Sequence, residues 1–259
     1  MYRATPLVSD FPVGSALLLT NNRIVAGGNM EVRRTGQSIH GEGSALTHAL
    51  QRYRGVRVEA ALSVGRDEKP LEACGDCREA LLEYGTDTFR YLMSTPDESP
   101  ARFLDRDTFL PPVTGTTKVQ GTDDPDSLLI AAALRTLSRA RDGCTGWPTA
   151  SAVRLLDGQI LQPVAASRDD GAYYHEHSVE TALAIGVSVG RTNFDTIAVV
   201  ARSFDPNQCG PIPCGRCLQK LTETAGENKH DIRLVMSDVR ENLVRRSLSQ
   251  MLPGAFVLT

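Results

Sequence analysis

Two cysteines, one histidine and one glutamate stand in an order that could hold a metal ion. His40 and Glu42 precede Cys74 and Cys77, and together they read H-x-E followed by C-x-x-C. Two thiolates and one imidazole fill three of the four tetrahedral positions around Zn²⁺ and leave the fourth for water. A carboxylate beside that ligand set, but outside it, can carry protons. The sequence therefore predicts a zinc site with His40, Cys74 and Cys77 as ligands and Glu42 as acid and base.

A second C-x-x-C pair, Cys214 and Cys217, indicates an internal repeat. Both pairs read C-G-x-C and open an apolar-periodic stretch, and they stand 214 − 74 = 140 residues apart. Upstream, residues 11–28 match residues 146–163 in pattern, because each segment has an apolar strand, a polar turn and a second strand. Such a pattern is typical of a β-hairpin. We therefore expect two similar halves.

The two halves place the same elements in the same order. A helix is predicted over residues 40–53 in the first half and 177–190 in the second, and a strand and the cysteine helix follow each. Each half thus runs β-β-α-β-α-β, which favours an α/β fold made of two similar sandwiches. We place the domains at 1–113 and 127–259, joined by a polar linker at 114–126.

One predicted helix breaks the symmetry of the repeat. The segment DSLLIAAALRTLSRARDG, from residue 126, reads as an amphipathic helix at the start of the second half. The first half has no counterpart, because only ten residues precede Phe11. We therefore expect one sheet face of the first domain to lack the helix that covers the second.

Composition narrows the class of protein. The 259 residues carry a net charge of −3, with 41% hydrophobic and 23% charged residues, which is ordinary globular usage. A nucleic-acid binder would show a basic patch, and no apolar run approaches the ~20 residues of a membrane span. The apolar stretch near the N-terminus is too brief for a signal peptide. We expect a cytoplasmic protein without nucleic-acid or membrane partners.

With these motifs the chain resembles the cytidine deaminase family, in its nucleoside-acting branch. The matching stretches are FPVGSALL (11–18), GGNMEV (27–32), HGEGSAL (40–46) and CGDCREAL (74–81). The resemblance implies an α/β fold of tandem cytidine-deaminase-like α/β/α sandwiches, each with a mixed sheet of about five strands. It also implies a zinc-dependent hydrolase that converts a cytidine-like pyrimidine nucleoside to the uridine analogue and releases ammonia.

The resemblance also assigns substrate contacts. It implies that Asn29 and Glu31 hold the ribose hydroxyls, that Phe11 lies near the nucleoside, and that the Gly41 N–H contacts the pyrimidine carbonyl. Duplicated members of the family carry catalysis in the first half, and two chains mimic a four-subunit assembly. We therefore expect a catalytic first domain and a homodimer.

The second half offers a possible second site from His177, Glu180, Cys214 and Cys217. Aligning Glu180 with Glu42 puts Ser178, a poor zinc ligand, at the position of His40, and a shift of one residue would bring His177 to the metal. Three interpretations stay open: a degenerate copy that stabilises the first domain, a structural zinc site, or a second catalytic site.

Alternative functions share the same motifs. A nucleoside-binding protein without turnover would keep the site, and so would a deaminase dedicated to a modified cytosine nucleoside of the antibiotic type. A nucleic-acid editing deaminase is disfavoured, because strand binding needs basic grooves and stacking platforms, whereas this chain is acidic and has 5% aromatic residues.

Overall fold

The computed structural model divides the chain into two compact units. Unit 1 is Met1–Pro111 with Leu252–Phe256, and unit 2 is Pro112–Met251 with Val257–Thr259. Most of the predicted linker, 114–126, lies outside the described residues. The structure describes residues 4–32, 38–66, 70–96, 102–112, 117–118, 124–138, 140, 148–165, 168–169, 175–204, 211–228 and 231–254.

Unit 1 is a five-stranded mixed sheet with the order β2-β1-β3-β4-β5, in which β3 and β4 are parallel and the other pairs antiparallel. Its elements are β1 (Gly14–Leu19), β2 (Ile24–Gly28), α1 (Gly41–Arg52), β3 (Val58–Val64), α2 (Gly75–Tyr84), β4 (Gly85–Ser94), β5 (Arg102–Asp105) and α3 (Arg106–Phe109).

The core of unit 1 lies between the sheet and helices α1 and α2. Burial alternates along β1, so that Leu17 and Leu19 lie in the core, because successive strand side chains point to opposite faces. Ala45 of α1 and Leu81 of α2 are fully buried against them. This packing brings the N-termini of the two helices to the same edge of the sheet layer.

Unit 2 repeats this arrangement on a six-stranded mixed sheet, ordered β6-β13-β12-β11-β7-β8, with β11 and β12 parallel; a two-stranded sheet pairs β9 with β10. Its elements are β6 (Thr117–Lys118), α4 (Pro125–Leu137), β7 (Thr149–Leu155), β8 (Val164–Ala165), β9 (Arg168–Asp169), β10 (His175–Glu176), α5 (Ser178–Ser188), β11 (Phe194–Ala201), α6 (Gly215–Asn228), β12 (Arg233–Asp238), β13 (Asn242–Ser247) and α7 (Leu248–Met251).

Helix α4 is the helix that the sequence predicts for the second half alone. It begins at an Asp124 cap, whose side chain accepts from the Asp126 N–H, and it packs Leu129 and Ala133 against Ala152 of the sheet. In unit 1, described residues 4–13 form a bridge and a turn rather than a helix.

The predicted fold class is confirmed, because both sheets are mixed and both carry helices. The predicted element order omits β5 and β13, the antiparallel strands that follow β4 and β12. Their sequences, RFLD and NLVRRS, are short and rich in charge, so they lack the apolar alternation that identifies a strand. Among the described helices, none has the length and hydropathy of a membrane span.

Gly27 sets how closely β2 approaches α1. A Cβ at this position would lie 2.3 Å from the Ala45 amide nitrogen and 2.7 Å from the Gly41 oxygen, both of them backbone atoms. We expect Gly27→Ala to destabilise the protein by about 3 kcal/mol or more, as overpacking against backbone does. Urea unfolding measures this.

Gly43→Ala is the matched control for this prediction. A Cβ on Gly43 meets only the Ile39 side chain, at 3.7 Å, and alanine favours a helix interior by roughly 0.5–1 kcal/mol. Stability should therefore stay level or rise. Equal losses in the two variants would contradict the close-approach argument.

Candidate metal centres

The three predicted ligands of the first site lie at the starts of two helices. His40 is the N-cap of α1 and Cys74 is the N-cap of α2, each with extended backbone, and Cys77 lies in the first turn of α2. The Cys74 side chain takes a hydrogen bond from Cys77 in the first turn of α2. The positive end of the helix dipole favours thiolate over thiol. The fold therefore places the ligand atoms at a point that stabilises anionic sulfur.

The ligand atoms lie at distances that suit a tetrahedral ion. Nδ1 of His40 lies 3.2 Å from Sγ of Cys74 and 3.4 Å from Sγ of Cys77, and all three atoms lie within 4.8 Å of one another. Tetrahedral zinc, with bonds of about 2.3 Å to sulfur and about 2.05 Å to nitrogen, would separate sulfur from nitrogen by about 3.6 Å. The donor set and its spacing fit zinc with small adjustments.

The three ligand residues shift one another's pKa values. The hydrogen bond from Cys77 lowers the pKa of Cys74 to about 5, against burial, and the His40 ring adds to this effect. The same hydrogen bond, together with burial, raises the pKa of the Cys77 thiol. The bond to Cys74 raises the pKa of His40 to about 9. One thiol of the pair is thus ionised at neutral pH, and metal binding displaces the remaining protons.

Glu42 lies beside this ligand set in a buried hydrogen-bond network. It is the second residue of α1 and is only 4% exposed. The Ser63 hydroxyl donates to Oε1 of Glu42 at 2.8 Å, and the Tyr91 hydroxyl donates to the same oxygen at 3.3 Å. Burial, and then the Glu42 charge, raise the pKa of Tyr91, so Tyr91 remains a phenol that can donate.

The sequence analysis did not predict a role for Ser63 or Tyr91. Both lie on strands, β3 and β4, and both are fully buried among apolar neighbours. A buried serine or tyrosine within an apolar strand is the signal that could have identified them, because buried hydroxyls need partners.

Asn29 and Phe11, two predicted substrate contacts, bond to each other. Asn29 is buried, its side-chain oxygen accepts from the Val13 N–H at 2.9 Å, and its amide donates to the Phe11 carbonyl at 2.9 Å. Asn29 thus fixes residues 11–13, which enter β1. The Phe11 ring lies against Gly65, where a Cβ would come within 2.9 Å of it.

Glu31 is occupied by the backbone of the N-terminal segment. Its carboxylate accepts from the Val8 and Ser9 amides at 2.9 and 2.8 Å and from the Ser9 hydroxyl at 2.5 Å. Partial burial raises the pKa of Glu31, but these hydrogen bonds outweigh it and the net pKa is lowered. Gly41, the remaining predicted contact, is buried at the first position of α1, and a Cβ there would meet the Ser15 hydroxyl at 2.8 Å.

The loop before Cys74 is held by Arg78, which sequence reasoning missed. Arg78 follows Cys77, and its side chain is fully buried. It donates to the carbonyls of Ala73 and Phe109 at 2.8 and 2.9 Å and forms an ion pair with Glu72 at 2.8 Å. An arginine on the buried side of a short helix was the available signal, since arginine is almost never buried without partners.

Arg78 also binds the C-terminal segment that belongs to unit 1. It donates to the carbonyls of Pro253 and Gly254 at 2.8 and 3.1 Å. Gly254 has φ +55°, and a Cβ there would lie 2.2 Å from the Glu72 carboxylate. A side chain here would displace the Glu72 carboxylate from Arg78 and would adopt a left-handed backbone conformation, which favours glycine. The last described residues of the chain therefore help to hold the cysteine loop of the first site.

The second predicted ligand group assembles in the same way. His177 is the N-cap of α5, and its Nδ1 lies 3.2 Å from Sγ of Cys214 and 3.3 Å from Sγ of Cys217. These atoms also lie within 4.8 Å of one another. The one-residue shift considered from the sequence therefore describes the geometry, and His177 rather than Ser178 faces the cysteines.

That shift moves Glu180 away from the position of Glu42. Counted from the histidine caps, Glu42 is the second residue of its helix, and the second residue of α5 is Val179. Glu180 instead accepts from the His177 N–H at 3.0 Å and forms ion pairs with Arg216, at 3.1 Å, and with Lys220. Burial raises the pKa of Glu180, but these bonds and charges lower it overall.

Comparison with known proteins points to one family. The sequence model of the "cytidine and deoxycytidylate deaminase zinc-binding region" matches residues 1–93. The chain is 29% identical over 165 residues to the cytidine deaminase of Cronobacter sakazakii, an alignment that covers 60% of this chain and 53% of that protein. It is 38% identical over 77 residues to the cytidine deaminase of Mycobacterium tuberculosis, covering 30% of this chain and 57% of that one.

A solved structure is similar to part of the chain. The crystal structure of cytidine deaminase from Mycobacterium tuberculosis is 30% identical, with a TM-score of 0.36, covering 44% of this chain and 85% of that one. The chain spans little more than half the length of the two curated relatives above. The zinc-binding description and the two ligand groups confirm the prediction of zinc as the metal.

Two arginines that contact Glu72 give a test of how the cysteine loop is held. Arg78 is fully buried, whereas Arg102 is 67% exposed and 3.9 Å from the Glu72 carboxylate. We expect Arg78→Met to destabilise unit 1 by about 3 kcal/mol, because it removes the buried partner of five acceptors. Arg102→Met should cost less than about 1 kcal/mol, as exposed ion pairs do. Urea unfolding of both variants decides, and similar losses would refute the role of Arg78.

Proposed function

We propose that unit 1, whose sequence matches the cytidine and deoxycytidylate deaminase zinc-binding region over residues 1–93, catalyses the hydrolytic deamination of a cytosine nucleoside. In this reaction water replaces the exocyclic amine of the base, so the products are the uridine analogue and ammonia. The proposal covers His40, Cys74 and Cys77 as zinc ligands, Glu42 as acid and base, and Phe11, Asn29, Glu31 and Gly41 as the substrate side of the site.

One observation carries this proposal. A buried carboxylate, Glu42, lies on the same helix turn as the ligand His40 and takes hydrogen bonds from Ser63 and Tyr91. Two neutral donors hold one carboxylate oxygen in place, and neither is a charge that would neutralise it. A fixed carboxylate beside a metal group is what proton transfer to a bound heterocycle requires.

The mechanism follows from the residues of the chain. Zinc, when bound by His40, Cys74 and Cys77, supplies Lewis-acid activation of a water molecule. Glu42 would accept a proton as water adds to C4 of the base and would deliver it to the ring nitrogen N3. It would then move a proton from the new hydroxyl group to the amine, which would leave as ammonia while the carbonyl of the product forms. Ser63 and Tyr91 hold the carboxylate at each stage.

We place the free nucleoside beside residues 8–13, which Asn29 and Glu31 hold in position next to β1. The family resemblance adds ribose contacts by Asn29 and Glu31, a base contact by Phe11 and a carbonyl contact by the Gly41 N–H. A deaminase for a modified cytosine nucleoside would use the same residues, so the base and sugar are part of the test.

The proposal has two further parts. The tandem arrangement, by resemblance to duplicated members of the family, suggests assembly as a homodimer, and the composition of the chain suggests action in the cytoplasm. A binding protein without turnover is disfavoured, because the Glu42, Ser63 and Tyr91 network of unit 1 is complete.

Replacing Glu42 tests the proposal directly. Glu42→Gln keeps the size and an acceptor for Ser63 and Tyr91, but it removes the group that carries protons. Ammonia release should fall at least about 10²-fold, with zinc content and nucleoside binding retained. The assay screens cytidine, deoxycytidine, cytosine, cytidine monophosphate and modified cytosine nucleosides. Normal turnover in Glu42→Gln would show the assignment to be wrong.

Tyr91→Phe tests the positioning network. Removing the donor to Glu42 should lower kcat about 10-fold and leave zinc content unchanged, as loss of a hydrogen bond that orients a catalytic group does. Tyr84→Phe is the matched control, because Tyr84 packs partly buried against the same core at the end of α2. Equal kcat in the two variants would remove Tyr91 from the mechanism.

A further inference from the structure

We propose that unit 2 holds a structural zinc ion at His177, Cys214 and Cys217 and has lost the acid–base apparatus of unit 1. The ligand geometry of the two units agrees to about 0.1 Å: the sulfur–nitrogen distances are 3.2 and 3.4 Å in unit 1 and 3.2 and 3.3 Å in unit 2. Every ligand type is kept, and the proton-carrying groups are replaced.

Strand register identifies the matching positions. Ser15 of β1 lies under Gly41, the residue after the ligand histidine, and Ser151 of β7 donates at 2.7 Å to Ser178, which also follows the ligand histidine. Ser15 and Ser151 therefore correspond. In the sheets, Ser15 faces Ser63 of β3.

The register carries the match to the next two strands of unit 2. Ser151 faces Val199 of β11, so Val199 corresponds to Ser63. Two residues before Ser63, Ala61 pairs with Tyr91, and two before Val199, Ile197 pairs with Leu234. Leu234 therefore corresponds to Tyr91. The flanking residues agree, because each of these strands reads arginine, the position in question, an aliphatic residue, methionine and serine.

The whole hydrogen-bond network around the carboxylate has become apolar in unit 2. Val179 takes the place of Glu42, Val199 that of Ser63, and Leu234 that of Tyr91; the three apolar side chains are 1%, 3% and 0% exposed. A carboxylate restored at residue 179 would find neither donor. All three replacements are apolar and buried, so these side chains pack in the core and cannot transfer protons. Apolar residues suit this position because buried polar groups without partners are costly.

A second change ties the two ligand-bearing helices of unit 2 together. Glu180 occupies the position of Gly43 in unit 1, and it pairs with Arg216 and Lys220 of α6. Arg216 lies between Cys214 and Cys217. Unit 1 has Asp76 and Ala80 at the positions of Arg216 and Lys220, so it cannot form this bridge. The ion cluster fixes α5 against α6 at the ligand set, which is a structural role.

Ser178 differs from its counterpart Gly41, which the resemblance makes a substrate contact in unit 1. In unit 1 the corresponding Gly41 carries no side chain. In unit 2 Ser178 places its hydroxyl there, bonds to Ser151 and is 1% exposed. A side chain thus occupies the space beside the ligand histidine. The site of unit 2 therefore retains only the ligands that hold the metal.

Zinc counting on the purified full-length protein tests the proposal. We expect two zinc ions per chain by metal analysis and by native mass spectrometry. Cys217→Ser should remove one of them and lower the melting temperature of the chain by more than about 5 °C. Cys77→Ser is the matched variant, which should remove the other zinc. A wild-type count of one zinc, or a count that Cys217→Ser does not change, would overturn the proposal.

A second readout separates this proposal from the proposed function. In the Glu42→Gln background, Cys217→Ser should leave any residual ammonia release unchanged, because unit 2 has no proton carrier. Residual ammonia release that Cys217→Ser abolishes would show that unit 2 is catalytic and would sink the structural assignment. The wild-type zinc count needs neither turnover nor a folded variant, so it still decides if unit 1 proves inactive or if Cys217→Ser does not fold.

Discussion

The chemistry of this chain depends on the meeting of two helix N-termini in each unit. A histidine caps one helix, and two cysteines begin the other, so three ligand atoms converge where both helix dipoles are positive. The same point lowers the pKa of the leading cysteine in each pair, to about 5 for Cys74 and about 4 for Cys214, mainly through the hydrogen bond from the second cysteine. The helices meet because each packs its apolar face on the same sheet. Core packing therefore brings the three ligand residues together.

What the metal group can do is decided by the strands beneath it. The sheet places one residue of β3 and one of β4 against the second residue of α1. In unit 1 these are Ser63 and Tyr91, which hold Glu42. In unit 2 the same frame presents valine and leucine beside a valine. The two units thus share one scaffold and one set of ligand residues, and they differ in the three side chains that would carry or hold a proton-transfer group.

Much of the architecture could be predicted from the sequence, because it follows from local patterns. The repeat, the hairpin of unit 1, the helices that begin at the histidines and cysteines, and helix α4 follow from apolar periodicity and capping residues. In unit 2 the strand that pairs with β7 is Val164–Ala165, just beyond the predicted hairpin. The strands β5 and β13 were missed because RFLD and NLVRRS have few apolar residues. The family resemblance rested on motifs in contiguous stretches, and the family comparison bears it out.

The interactions between distant residues could not be predicted from one sequence. Tyr91 and Ser63 meet Glu42 only through strand register, and Arg78 meets Pro253 and Gly254 across 175 and 176 residues. The shift from Glu180 to Val179 at the second site is a matter of one helical residue, which rotates a side chain by about 100° around the helix axis. These contacts depend on how the elements pack, and a sequence pattern does not show which distant residues lie close together.

Anomalous diffraction at the zinc edge, from crystals of Glu42→Gln grown with cytidine, tests the central claim most directly. The account predicts a zinc peak at His40, Cys74 and Cys77 and a second at His177, Cys214 and Cys217, with nucleoside density beside residue 42 alone. Nucleoside density beside Val179, or the absence of a zinc peak in unit 2, would contradict it.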